Sequence, residues 1–176
     1  MHVLDIAQNS VRAGASEITV MLEEDIKNDS LVVTITDNGC GMTEEQVEKV
    51  TDPFFTTRTT RKIGLGIPFF KMAAEMTGGS FRIQSEVGKG TKVTAAFVRS
   101  HIDRMPLGDM NETMGQLMCL NEGIDITYAY RIDGKEFSVS SNSFCEVLEG
   151  VPLNTPQVIQ FVIQHLKENT DELIEA

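Results

Sequence analysis

A chain of 176 residues is long enough for one well-buried core, alone or with a small appendage. With 41% hydrophobic and 23% charged residues, its composition is that of an ordinary globular protein. A formal charge of −11 excludes a protein whose main task is to grip nucleic acid, which rests on neutralising phosphates with Lys and Arg, and no apolar run is long enough to cross a bilayer.

Taken in chain order, residues 2–12 read as a helix, followed by the β-branched runs "SEITVML" at 16–22 and "SLVVTITD" at 30–37, which read as strands. "TEEQVEKV" at 43–50 reads as a short helix, with Thr43 as its cap and Glu44 and Glu45 suited to its first turn. "TDPFFTTRTTRKIGLG" has no periodicity and reads as a loop. A helix over 67–77 tolerates Pro68 in its first turn and ends at Gly78 and Gly79. "SFRIQSE" and "TKVTAAFV" pair as a hairpin across "VGKG". The pattern breaks at 101–108, a linker into a smaller α/β unit over 109–176. That unit holds a helix at 109–120, strands near 124–131 and 136–140, and a last helix from Thr155 and Pro156 to Asn169.

No basic-then-apolar leader opens the chain, so the expected compartment is the cytoplasm, with no membrane partner. Cys40, Cys119 and Cys145 are odd in number and lack CxxC spacing. They are expected to be free thiols acting as small apolar fillers.

At 100° per residue the opening helix puts Val3, Leu4, Ala7 and Val11 on one side and gathers Asp5, Asn9 and Arg12 on the other. Taken alone, that polar side is an ordinary solvated face. "DNGCGM" at 37–42 follows a strand with a carboxylate and two alternate glycines, a hydrogen-bond acceptor beside a chain that can lie close to a flat ligand. "KIGLGIPFF" at 62–70 leads glycines into a helix start, which suits an anion, and Arg58, Arg61 and Lys62 stand just upstream. "SEVGKGTKV" at 85–93 reads as a glycine turn ending in Thr91.

In this order the segments resemble the GHKL superfamily of ATP-binding domains, which includes gyrase, the heat-shock chaperone, histidine kinases and MutL-type mismatch-repair ATPases. The resemblance covers residues 2–98, with "DIAQNSVRAGASEITV" as the N box, "DNGCGM" and "GLGIPFFKMAAEMTGG" as the two glycine boxes, and "DPFFTTR" as the F box. It implies a two-layer α+β sandwich of Bergerat type, with a mixed, mostly antiparallel sheet covered on one face by helices. ATP and Mg²⁺ are the implied ligands. Asn9 matches the metal-coordinating asparagine and Asp37 the acceptor of the adenine amino group, with Thr91 assisting through water. Gly39, Gly41 and Met42 match the adenine pocket, and Gly64, Leu65 and Gly66 the backbone around the phosphates. Arg12 and Arg58 match phosphate-facing positions. Asp5 stands where many members carry a glutamate general base, one methylene longer. The chain departs from the family in having Lys62 where kinases carry glycine, and in starting almost at the N box.

The function this implies is ATP-dependent phosphotransfer to a separate protein partner in signalling. The alternatives are a conformational ATPase of MutL or chaperone type, and an anti-sigma-like Ser/Thr kinase and binding module. His2, His101 and His165 are the chain's histidines. His165 lacks the context of an acceptor helix and reads as a solvent-facing residue. The 109–176 unit reads as a packing or dimerisation element, so a homodimer is expected, with methionines near 110–118 available to cover an interface.

Overall fold

Alternation of apolar and polar side chains makes strands of Glu17–Asp25 (β1) and Ser30–Asp37 (β2). Each buries every second residue, Ile18, Val20 and Leu22 on the first and Leu31, Val33 and Ile35 on the second. The computed structural model describes residues 2–52, 54 and 65–175. Ser80–Glu86 (β3) and Gly90–Val98 (β4) extend the sheet on one side; Asp125–Ile132 (β5) and Lys135–Ser140 (β6) extend it on the other. The order is β3-β4-β2-β1-β5-β6. All neighbours run antiparallel except β1 and β5, which run parallel with Ile18 beside Ile126 and Leu22 beside Tyr130.

Helices Val3–Arg12 (α1), Glu44–Thr51 (α2) and Gly66–Met76 (α3) accompany the first four strands; Met110–Leu120 (α4), Ser141–Val147 (α5) and Pro156–Glu175 (α6) accompany the last two. One hydrophobic cluster joins Ile6, Val20, Phe70 and Phe97 to Met114, Tyr128 and Leu166. The architecture is a mixed-sheet α/β sandwich consistent with the Bergerat fold. Residues 101–109 carry no helix or strand, and the strands on either side of them share the one sheet. The edge of β1 away from β2 is taken by β5.

Local chemistry sets the helix ends. Thr43 and Gln46 form a reciprocal capping box at the start of α2. Past α3, Gly78 takes φ 74°, a conformation that suits a residue without a side chain.

Several expectations need correction. The buried stripe of α1 is Val3, Ile6, Ala7 and Ser10; Leu4 is exposed and Val11 only partly covered. The stripe is rotated because Ser10 turns inward to a polar partner on β2. Met110, Met114 and Met118 are buried, since their i, i+4, i+8 spacing faces the core. His165 is half-buried among Phe137, Phe144 and Phe161. The three cysteines are free thiols, but only Cys119 is a buried filler. Helix α5 was not anticipated. Among the described residues no helix is long and apolar enough to cross a membrane.

Candidate functional site

Asp37 closes β2, and three donors hold its carboxylate. Oδ1 accepts from the backbone N–H of Gly39 at 2.9 Å and of Thr91 at 3.3 Å, while Oδ2 accepts from Ser10 Oγ at 2.5 Å. A carboxylate offers about four acceptor positions. One position on Oδ2 therefore remains for a ligand donor.

The following turn is packed too tightly for a side chain at either of its glycines. Gly41 has φ 66°, and a Cβ there would lie 2.0 Å from the carbonyl oxygen of Glu86. A Cβ on Gly39 would meet Ala13 at 2.9 Å. The loop is fastened from both sides. Cys40 N–H donates to the Ala13 carbonyl, Gly88 N–H to the Cys40 carbonyl, and Met42 N–H to Ser85 Oγ, which in turn pairs with Thr91 Oγ1 at 2.8 Å. Asn38 is absorbed structurally, accepting from the N–H groups of Ser16 and Glu17.

Beside Asp37 lies a cavity of about 350 Å³, walled by Ile6, Ile35, Met42, Val50, Ile67 and Val93. Asn9, Arg12, Thr91, Cys40, Gln46 and Lys49 add polar groups to its lining. A second cavity of about 250 Å³ is lined by His2, Asp5, Gln8, Asn9, Arg12, Leu65, Gly66 and Phe69. Asn9 and Arg12 border both. Gly66 is needed where α3 meets α1, because a Cβ on it would lie 2.8 Å from Asp5 Cβ. Asp5 itself is 56% exposed, with Oδ2 3.2 Å from His2 Nδ1. A mainly apolar cavity lined by the Asp37 carboxylate thus shares Asn9 and Arg12 with a polar cavity that also has the Asp5 carboxylate.

Asp5, Asn9, Arg12, Asp37, Gly41, Met42, Leu65, Gly66 and Thr91 all line one or both cavities, and Gly39 supports the carboxylate. Arg58 and Gly64, with Arg61 and Lys62, lie outside the described residues. Sequence reasoning missed Ser10, whose inward turn has no local signal, and Cys40, Gln46 and Lys49. The α2 pair was readable only as an exposed helix face.

Among the described residues no group of three or more His, Cys, Asp or Glu could hold a metal ion. Among those residues no dedicated protein cage for a metal is therefore built. What exists is the hard oxygen of Asn9, with Asp5 one turn away, a donor set that fits a magnesium ion bound chiefly through phosphate oxygens and water.

A family model described as histidine kinase-, DNA gyrase B-, and HSP90-like ATPase matches residues 2–101. Among relatives, the sensor histidine kinase ZraS of Salmonella typhimurium is 30% identical over 93 residues, 52% of this chain and 20% of that protein. The sensor protein DegM of a Bacillus species is 31% identical over 91 residues, 52% of this chain and 24% of its own. The signal transduction histidine-protein kinase ArlS of Staphylococcus aureus is 28% identical over 94 residues, 51% of this chain and 21% of its own. The matched part is thus no more than 24% of the length of these three proteins. With more than half of its length matched, the chain belongs to the histidine kinase-, DNA gyrase B- and HSP90-like ATPase family, whose domain implies ATP binding.

Proposed function

We propose that this protein binds ATP with its base against Asp37 and transfers the γ-phosphoryl group to a separate protein partner in signalling. The observation that carries the reading is that Asn9 and Arg12 line both cavities. The first, with apolar walls and the Asp37 carboxylate, suits a purine; the second suits a polyphosphate.

In this reading Asp37 accepts from the adenine amino group through the open position on Oδ2, with Thr91 assisting through water. Ser10 and the N–H groups of Gly39 and Thr91 keep the carboxylate from turning. Gly39, Gly41 and Met42 shape the slot. Gly64, Leu65 and Gly66 supply backbone near the phosphates, and Arg12 and Arg58 offset their charge. Asn9 would hold Mg²⁺, which supplies neutralisation of phosphate charge when bound. Asp5 takes the proton of the attacking group.

Its exposure also favours a second reading, since a carboxylate open to solvent can polarise water and make the protein a conformational ATPase. Calorimetric titration with ATP and Mg²⁺ tests the site. Asp37→Asn should abolish nucleotide binding, and Asn9→Ala should remove its metal-dependent part. Unchanged affinity in both variants rejects the assignment. γ-Labelled ATP then separates the two activities, leaving label on a partner protein in one case and only free phosphate in the other.

A further inference from the structure

We propose that the outer edge of β6 is a docking site for an extended, basic segment of another protein, which adds to the sheet as a further strand. Docking there requires neither nucleotide nor phosphotransfer, and the edge belongs to the part of the chain beyond the matched residues 2–101.

β6 ends the sheet. It pairs with β5 on one side, and among the described residues no strand lies on the other. Nor, among them, does any backbone hydrogen bond outside that ladder end on residues 135–140. The next element leaves the edge clear, because α5 turns back towards the start of β5. Asn142 N–H donates to Asp125 Oδ1 at 3.2 Å, and Ser141 Oγ donates to the Ile124 carbonyl at 3.1 Å. An unpaired strand edge is a template for another chain unless charge, proline or a bulge guards it. β3, the opposite edge, carries the exposed Arg82 near its middle, whereas β6 finishes in the uncharged run Phe137, Ser138, Val139, Ser140.

Helix α6 overhangs this edge. One of its flanks meets α4, where a Cβ on Gly115 would lie 2.5 Å from Ile163 and Asn111 Nδ2 donates to Thr170 Oγ1 at 2.9 Å. Phe161, His165, Glu168 and Glu172, spaced i, i+4, i+7 and i+11, share the opposite flank. The His165 ring lies 6.2 Å from that of Phe137 on β6, and Phe161 and His165 both meet Phe144 beyond the end of that strand. The helix therefore runs back along β6, with its two carboxylates towards the start of the strand. Phe161 is 49% exposed, and Glu168 and Glu172 are exposed. A strand added beside β6 would set every second side chain beneath this flank, under aromatic rings at one end and carboxylates at the other.

Charge names the occupant. Residues 109–176 hold twelve acidic and three basic side chains, so nine of the chain's eleven net negative charges lie there. Of the three cations, Arg131 is already held by Glu23 and Glu136, each at 2.7 Å. A second copy would bring the same excess to the seam, and an acidic segment would be repelled likewise. The segment that fits has apolar residues facing Phe137, Val139 and Phe161, with a Lys or Arg on the same side facing Glu168 and Glu172.

The test uses the full chain and two labelled peptides, Lys-Thr-Val-Thr-Val-Thr-Lys and its counterpart with Glu at both ends. Fluorescence anisotropy should show saturable binding of the lysine peptide that weakens with salt, and none of the glutamate peptide. Hydrogen exchange should slow at residues 135–140 and stay unchanged at 80–86. Glu168→Lys with Glu172→Lys, both exposed, should weaken the lysine peptide about tenfold and admit the glutamate peptide. Absence of lysine-peptide binding to the folded native chain, equal binding of both peptides, or protection at 80–86 in place of 135–140 overturns the proposal. So does sedimentation showing a dimer of the native chain that the lysine peptide takes apart, which would give the edge to a second copy.

Discussion

Ser10 on α1 and Asp37 at the end of β2 are joined by a 2.5 Å hydrogen bond across 27 positions of sequence, and Ser10 is 3% exposed. The bond ties the helix that carries Asn9 to the strand that carries the base acceptor. Ser10→Ala removes a charge-assisted bond from a carboxylate that retains two backbone donors. Affinity for ATP should fall about tenfold, and stability by about 1–2 kcal/mol. Calorimetry and urea unfolding measure the two; a variant with native affinity would show that Asp37 is positioned without the serine.

The glycines around the loop are not equivalent. Gly41 and Gly88 both take positive φ, 66° and 81°, but a Cβ on Gly41 meets the Glu86 carbonyl at 2.0 Å, whereas one on Gly88 meets open space. Gly88→Ala should therefore cost only the left-handed backbone penalty, about 1–2 kcal/mol. Gly41→Ala should cost more, because the 37–42 loop has to move off the β3–β4 turn. Urea midpoints rank the pair; equal losses would contradict the steric account.

Much of this was legible locally. The run "SLVVTITD" and the strand Ser30–Asp37 coincide, as do "SFRIQSE" and Ser80–Glu86, because alternation over seven or eight residues specifies a strand. A period of 3.6 sufficed to gather Asp5, Asn9 and Arg12. Local pattern is silent on partners that meet across long stretches of chain. The parallel pairing of Glu17 with Asp125 is one case, and Ser10 with Asp37 is another. Methionines at 110, 114 and 118 make a stripe whose period says only that it is covered, and the covering helix α6 lies forty residues on. The seven-residue helix Ser141–Val147 is too short to show a period, and its cap, Ser140, is also the last residue of β6.

The cysteines report on the cavity. Cys40 is exposed and lines the apolar slot, Cys145 is exposed elsewhere, and Cys119 is buried with its thiol pushed up to about 11, first by burial and then by Cys145. Thiolates are the reactive species. An alkylating reagent at mildly alkaline pH should therefore modify Cys40 and Cys145 and spare Cys119 until the chain unfolds. ATP should slow modification of Cys40 and leave Cys145 unchanged. Mass spectrometry of the digested protein reads all three; protection of Cys145 in place of Cys40 would move the nucleotide out of the Asp37 slot.

Both tyrosines of the chain, Tyr128 and Tyr130, lie on β5 and are buried. Burial raises both phenols above the ordinary value of 10; for Tyr130 the nearby Glu24 adds to it. Glu24 accepts from Tyr130 Oη at 2.9 Å and from Arg99 Nε at 2.7 Å, so β1, β5 and the residue after β4 meet at one carboxylate with 13% of its side chain exposed. Below pH 10 the folded and unfolded chains both keep their phenolic protons, and the stabilisation is complete. Above it the unfolded chain ionises first while the folded one holds its protons, so stability falls as pH rises towards the folded-state values. Phenolate absorbance should accordingly appear with unfolding and not before it. Tyr130→Phe should cost about 1–2 kcal/mol at neutral pH by removing a hydrogen bond to a charged group, and should flatten the alkaline loss of stability. Phenolate that titrates at the ordinary value while the fold stays intact would show that the β1–β5 seam is open to solvent.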